Sequence, residues 1–174
     1  MQPAYIVTFI GDDRPGLVES LSEVIEQRGG NWLESRLSQL GGKFAGLVLV
    51  SLPEEHANSL EKELKNLAAS GLSVRVTPAG IQSDSYRGRH IKLTLIGPDR
   101  SGIVRQISKA LAQSGVNVVE MESAVESAPM SAELLFKARI DAEIPEHFSL
   151  DELDEQLDVI ANTMTLDIEL DYDN

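Results

Sequence analysis

Two short loops carry the residues best suited to hold a small charged molecule: Gly11-Asp12-Asp13-Arg14-Pro15-Gly16 and Gly97-Pro98-Asp99-Arg100-Ser101-Gly102. Each leads into a run with helical apolar spacing. Its end therefore presents the unpaired N–H groups of a first helical turn, together with the positive end of the helix dipole. Such a terminus favours an anion. Gly16 and Gly102 carry no side chain, so a carboxylate or another backbone has room to approach the amides. A second reading fits the same residues: Asp13 and Asp99 satisfy the amides themselves as helix caps and leave no ligand site. Arg14 and Arg100 suit a bidentate grip on a carboxylate, or else a structural or interface role, solvated or in an ion pair with Asp13 or Asp99. Asn31 and Asn117 follow glycine turns, where their amides either reach toward the loops or cap their own turns.

Other chemistry finds little support. With no cysteine there is no thiolate ligand, disulfide or cysteine nucleophile, and His56, His90 and His147 have no metal-ligand spacing. A nucleophile elbow, a lysine-bearing phosphate loop, a zinc-binding helix and a dinucleotide fingerprint are all missing from the sequence, so no enzyme, metal or cofactor is expected. Asp171-Tyr172-Asp173 has the look of a short acidic metal motif but reads as a solvated acidic tail. The net charge of −13 opposes direct contact with nucleic acid, which relies on Lys and Arg to neutralise phosphates. No apolar run approaches the roughly 20 residues of a membrane span, and Met1-Gln2-Pro3-Ala4 does not begin a secretory signal; the cytoplasm is the expected location.

The elements that position the loops follow from an internal repeat. A shift of 86 positions, from Gly11 to Gly97, also lays Thr8 on Thr94, Val18 on Val104, Ser22 on Ser108, Gln27 on Gln113, Asn31 on Asn117 and Glu34 on Glu120. In the first copy Tyr5 to Ile10 reads as a central strand. Leu17, Val18, Leu21, Val24 and Ile25 then mark a helix with Pro15 in its first turn and Gly29-Gly30 at its end. Asn31 to Leu40 and Lys43 to Leu52 flank Gly41-Gly42 as a hairpin. Leu60, Leu64, Leu67 and Ala68 mark a second helix closed by Gly71, and Leu72, Val74 and Val76 alternate as a last strand. The second copy repeats the order, with strands expected from Asn117 to Val125 and Ala132 to Ile140, a helix through Leu150, Leu153, Leu157, Ile160 and Ala161, and a final strand through Leu166, Ile168 and Leu170. The expected fold is α+β: two tandem ferredoxin-like βαββαβ domains at 1–78 and 90–174, joined by a linker at 79–89. Their sheets are antiparallel with helices on one face, and crossovers run from strand one to three and from two to four. Each sheet's other face is left uncovered, so pairing with another copy, within the chain or as a homo-oligomer, is expected.

The segments Asp13-Arg14-Pro15-Gly16-Leu17-Val18 with Gly30-Asn31-Trp32-Leu33-Glu34, and Asp99-Arg100-Ser101-Gly102-Ile103-Val104 with Gly115-Val116-Asn117-Val118, resemble the signatures of ACT domains over nearly the whole chain. Two copies without a catalytic domain, with Glu34 to Gly41 closing strand two, resemble more specifically the bacterial repressors of the glycine cleavage system. The resemblance implies a non-enzymatic regulator that binds an amino-acid effector where paired domains meet. The implied contacts are Asp13, Arg14, Pro15, Gly16, Leu17 and Asn31, with Asp99, Arg100, Ser101, Gly102, Ile103 and Asn117 in the second copy. It further implies repression through a DNA-binding transcription factor, relieved by glycine. The sequence departs from the amino-acid-sensing pattern at Asp13 and Asp99, where asparagine is frequent; aspartate repels the effector carboxylate and receives its ammonium. Ser101 replaces the proline, so the two loops differ. The competing readings are a regulatory ACT subunit of an amino-acid metabolic enzyme, and an acylphosphatase-like small enzyme evoked by Arg14 and Asn31.

Overall fold

The computed structural model describes residues 3–67, 71–80, 88–129 and 131–172. The chain divides into two compact units, Met1–Gln82 and Ser83–Asn174. In the first, β1 (Ala4–Asp12), α1 (Leu17–Gln27), β2 (Asn31–Leu40), β3 (Lys43–Ser51), α2 (Ala57–Asn66) and β4 (Ser73–Pro78) follow one another, with one 3-10 turn at Glu54–His56. The second repeats the order as β5 (Gly88–Pro98), α3 (Ile103–Gln113), β6 (Asn117–Ser127), β7 (Leu134–Pro145), α4 (Leu150–Met164) and β8 (Asp167–Tyr172). The sheets are antiparallel, ordered β2-β3-β1-β4 and β6-β7-β5-β8. The crossovers therefore join β1 to β2 and β3 to β4, not strand one to three and two to four, because each helix directly follows the strand it leaves. Among the expected helix residues, Ala68 lies outside the described residues, as do Ser83, Asp84 and Ser85 of the expected linker.

Helix ends repeat closely. Past α1, Gly29 has φ 71, its N–H reaches Glu26 O at 2.8 Å and that of Gly30 reaches Ile25 O at 2.9 Å. Past α3, Gly115 has φ 65, with Gly115 N–H to Ala112 O at 3.1 Å and Val116 N–H to Leu111 O at 2.8 Å. This paired closure consumes the last helical carbonyls and requires a left-handed residue, which is why glycine recurs. Each unit buries its own core: Tyr5, Val7 and Phe9 share one with Leu21, Ile25, Leu60 and Leu64, and Ile91, Leu93 and Leu95 share the other with Ile107, Leu111, Leu153 and Leu157. Both helices of a unit thus cover the same sheet face.

The opposite faces diverge. In the first unit the rows Ile6–Leu49, Thr8–Leu47 and Ile10–Ala45 run side by side. Their counterparts in the second unit are Lys92–Asp141, Thr94–Arg139 and Ile96–Lys137. Residues 1–82 hold 10 Asp or Glu against 7 Lys or Arg, and residues 83–174 hold 18 against 8, so the net charges are −3 and −10. The apolar outer face belongs to one unit and the acidity to the other.

Two expected strands differ in extent. β7 begins at Leu134 instead of Ala132, which turns with φ 55, and continues past Ile140 because Ala142 and Ile144 keep alternating into the core. Asp171 and Tyr172 pair with Lys92 and Ile91 inside β8 and are not a tail; Asp173 lies outside the described residues.

Candidate functional site

The two loops are built alike and anchored alike. The N–H of Asp13 donates to Gly42 O at 3.1 Å and that of Asp99 to Leu134 O at 2.8 Å, so each loop is tied to the neighbouring hairpin where its strand leaves the sheet. Gly16, at φ 83 and ψ 0, and Gly102, at φ 95 and ψ −7, occupy the N-cap positions of α1 and α3, and neither helix receives a side-chain cap. Asp13 and Asp99 are therefore not the caps. A left-handed N-cap turns the chain sharply into the helix and leaves the aspartates three residues outside it. Pro15, expected in the first turn, lies in the turn before it. The first intrahelical bonds are Ser20 N–H to Gly16 O at 2.9 Å and Gln106 N–H to Gly102 O at 3.0 Å. The amides of Leu17, Val18 and Glu19, and of Ile103, Val104 and Arg105, precede them.

Asp13, Arg14, Pro15 and Gly16 are exposed and Leu17 is buried; Asp99, Arg100, Ser101 and Gly102 are exposed and Ile103 is buried. The last residue of each set pins the helix to the core, and the rest face outward. Among the described residues neither Arg14 nor Arg100 stands in an ion pair, and neither pairs with Asp13 or Asp99. The charge pair at the first loop is instead Asp12 with Lys43, opposite each other on β1 and β3. The hydrogen bond and the charge of Lys43, with a smaller attraction from Arg14, hold the Asp12 carboxyl below its ordinary pKa. A depressed carboxylate stabilises the fold above its unfolded pKa, and that contribution is lost as the pH falls through the folded value. Lys43→Ala should move the Asp12 midpoint upward in an NMR titration. An unmoved midpoint would show that Lys43 is not the cause.

Asn31 and Asn117 do not meet the loop of their own unit. Asn31 and Ala4 both pair with Ser51, whereas the loop leaves at Asp12, opposite Lys43. Eight residues of strand separate the two levels, roughly 26 Å at about 3.3 Å per residue. Asn117 and His90 likewise share Glu143, eight residues from Pro98. Strand two runs parallel to strand one, so its start lies at the opposite end of the sheet from the loop.

Sequence periodicity missed one shared feature beside each asparagine. The β2–β3 register slips between Trp32 and Glu34, and the β6–β7 register slips between Val118 and Glu120. Leu33 and Val119 are the extra residues, 50% and 58% exposed on edge strands. A bulge at the same place in both units bends each edge next to its asparagine. Trp32 packs partly buried against the first core, in line with a structural indole. His56 is structural too, with Nδ1 2.8 Å from Arg28 O at the end of α1.

The chain matches the ACT domain family over residues 4–77 and 89–171, and it belongs to that family of regulatory domains. It is similar to a UPF0237 protein of Methanopyrus kandleri, 33% identical over 85 residues that make up 49% of this chain and 93% of that protein. It is also similar to a crystal structure of an unknown protein from Galdieria sulphuraria, with a TM-score of 0.88 and 28% identity over the whole of both chains. A further crystal structure, of a candidate glycine cleavage system transcriptional repressor, has a TM-score of 0.73 at 18% identity, covering 100% of this chain and 99% of that one. At that identity the likeness shows the fold. Among the described residues no helix is long and apolar enough to cross a membrane.

Proposed function

We propose that the protein is a cytoplasmic, non-enzymatic, amino-acid-responsive regulator that represses glycine cleavage genes through a DNA-binding transcription factor, with glycine as the relieving effector. The observation that carries the amino-acid part is the pair of uncapped helix starts. In both units three first-turn amides, a left-handed glycine and two exposed aspartate or arginine side chains share one short loop. The amides suit a carboxylate, and Asp13 or Asp99 suits an ammonium.

An asparagine completes the site only from a second copy. Edge strands related by a two-fold axis run antiparallel, which brings the start of β2 in one copy to the loop end of its neighbour. A zwitterion as small as glycine makes few contacts, so a site closed by two copies makes binding depend on assembly. The net charge of −13 supports a protein partner in place of DNA.

Calorimetry of the full chain against the twenty amino acids tests this reading, and a folded protein that binds none of them at millimolar concentration would sink it. Asn31→Ala and Asn117→Ala should each weaken binding by about 1–3 kcal/mol, the cost of leaving a buried polar partner unsatisfied. Unchanged affinity in both variants would remove the asparagines from the site. In a gel shift at physiological salt, the chain alone should show no sequence-specific submicromolar binding to DNA.

A further inference from the structure

We propose that the outer sheet face of the first unit is a contact between two copies of this chain, related by a two-fold axis lying across the strands. On that face, opposite the one that α1 and α2 cover, the strand register sets two central rows of side chains. One reads Glu34, Leu49, Ile6 and Thr77 from β2 to β4, and the next reads Arg36, Leu47, Thr8 and Arg75. Ala45 and Ile10 continue the apolar middle in the row beyond. Leu47 and Ile10 are 52% and 49% exposed, and Ile6, Leu49 and Ala45 are half-buried. A contiguous apolar strip of this kind, rimmed by charge, marks an association surface.

The pattern of charges selects a second copy as the occupant. An axis passing between the two rows reverses the strands of the partner, lays β2 over β2 and turns each row onto the other. Leu49 then meets the partner's Leu47, and Ile6 meets the partner's Thr8. At the β2 edge Glu34 meets the partner's Arg36, and Arg36 meets the partner's Glu34. Within one chain these two side chains already lie 3.0 Å apart and are largely exposed, so the contact closes them into a ring of four alternating charges. The hydroxyls beside the axis turn back to their own sheet: Thr8 Oγ1 donates to Arg75 O at 3.5 Å and Thr77 Oγ1 to Ile6 O at 3.4 Å. They need no water when the face is covered. Four strands about 4.8 Å apart and about 30 Å long give a face on the order of 600 Å2 before side-chain relief, near the roughly 800 Å2 per partner of a stable interface.

The second unit supplies the contrast. Its corresponding face carries Lys92, Lys137, Arg139 and Asp141 across the middle, with Glu120 and Glu122 along β6. Taking such charges out of water costs more than their packing returns, so that face is suited to solvent. One adhesive face per chain, meeting its own copy across a two-fold axis, closes at two copies and does not grow into filaments. The contact neither requires nor blocks the edge pairing proposed for the effector site, because the β2 edge keeps its outer hydrogen-bonding groups.

Sedimentation equilibrium of the full chain tests the contact, with the Trp32 unfolding transition as the check that each variant is folded. Leu47→Glu changes an outward side chain at the centre of the contact and should halve the molar mass. Glu34→Arg and Arg36→Glu should each weaken association at least about tenfold, because like charges then face each other across the axis. Combining the two restores opposite charges and should recover association. The chain has no cysteine, so Leu47→Cys supplies a single thiol that should react slowly with a maleimide when assembled and fast on dilution. A wild-type chain that is monomeric at micromolar concentration, a folded Leu47→Glu variant of unchanged mass, or a double variant as weak as the single ones overturns the proposal. A thiol shielded in a monomer overturns it too, and gives the face to another segment of the same chain.

Discussion

Leu64→Ala should lower the stability of the first unit by about 2–5 kcal/mol, the cost of removing three buried carbons and leaving the space behind them. α2 is a polar helix whose buried residues are Leu60 and Leu64, both with 0% exposure. Two side chains therefore supply most of its grip on the sheet, and the remaining one has no flanking apolar residue of equal depth to take over. For a unit of about 80 residues, each kcal/mol displaces the midpoint by roughly 4–8 °C, so a fall of about 10 °C or more is expected. The chain has one tryptophan, Trp32, packed partly buried on this same core. Its emission follows the first unit without contribution from the second. A shift below about 3 °C in the Trp32 transition would mean that α2 is held by something other than its two leucines.

What the sequence disclosed and what it withheld divide along a physical line. Periods of two and of 3.6 residues survive in any chain that buries one face, so the repeat at 86 positions, the element order and the helix stop at Gly29-Gly30 are readable in the sequence, and the repeat lays Gly115 on Gly29. So was the two-residue turn at Gly41-Gly42, whose φ values of 58 and 77 only glycine adopts cheaply. The bulges were not readable. Leu33 and Val119 are apolar residues in apolar strands, and an inserted residue leaves no mark in composition. The helix starts were misread for a related reason. Aspartate at the entrance to a helical run suits a cap by residue type, and only the left-handed conformation of Gly16 and Gly102, three residues on, shifts the cap to the glycine itself. Asn31 and Asn117 looked close to the loops because sequence distance was mistaken for distance in space. α1 and α3 carry the chain back along the sheet before strand two begins.

The contrast between sheet faces was latent in the sequence. Ile6, Leu47 and Leu49 become Lys92, Arg139 and Asp141 in the repeat, so one duplicated surface remained apolar while the other became charged. A duplication constrains the buried half of each strand far more tightly than the outer half, because the core tolerates only matched volumes. Divergence therefore appears first at outward positions, where a changed side chain costs the fold little.

The same logic of close packing separates two glycines that the repeat makes equivalent. Gly97→Ala should cost about 3 kcal/mol, at the upper part of the usual 1–3 kcal/mol for forced overpacking, whereas Gly11→Ala should cost about 1 kcal/mol. At Gly97 an added Cβ would lie 2.6 Å from Thr165 O and 3.1 Å from Leu166 Cα, both backbone atoms. That backbone cannot retreat: Thr165 already sits in the left-handed region at φ 58, and Leu166 N–H is bonded to Ala161 O at 2.9 Å, closing α4. At Gly11 the first obstacle is Leu72 Cδ1 at 2.9 Å, the far end of a flexible side chain, and the nearest backbone atom is at 3.5 Å. A small rotation of Leu72 relieves the first contact, while the second requires the turn between α4 and β8 to move. Thermal unfolding followed by far-ultraviolet circular dichroism should show the Gly97 variant melting at least 5 °C below the Gly11 variant. Equal losses, or a larger loss at Gly11, would show that the two loop entrances are packed alike and that the divergence between the units stops short of β1 and β5.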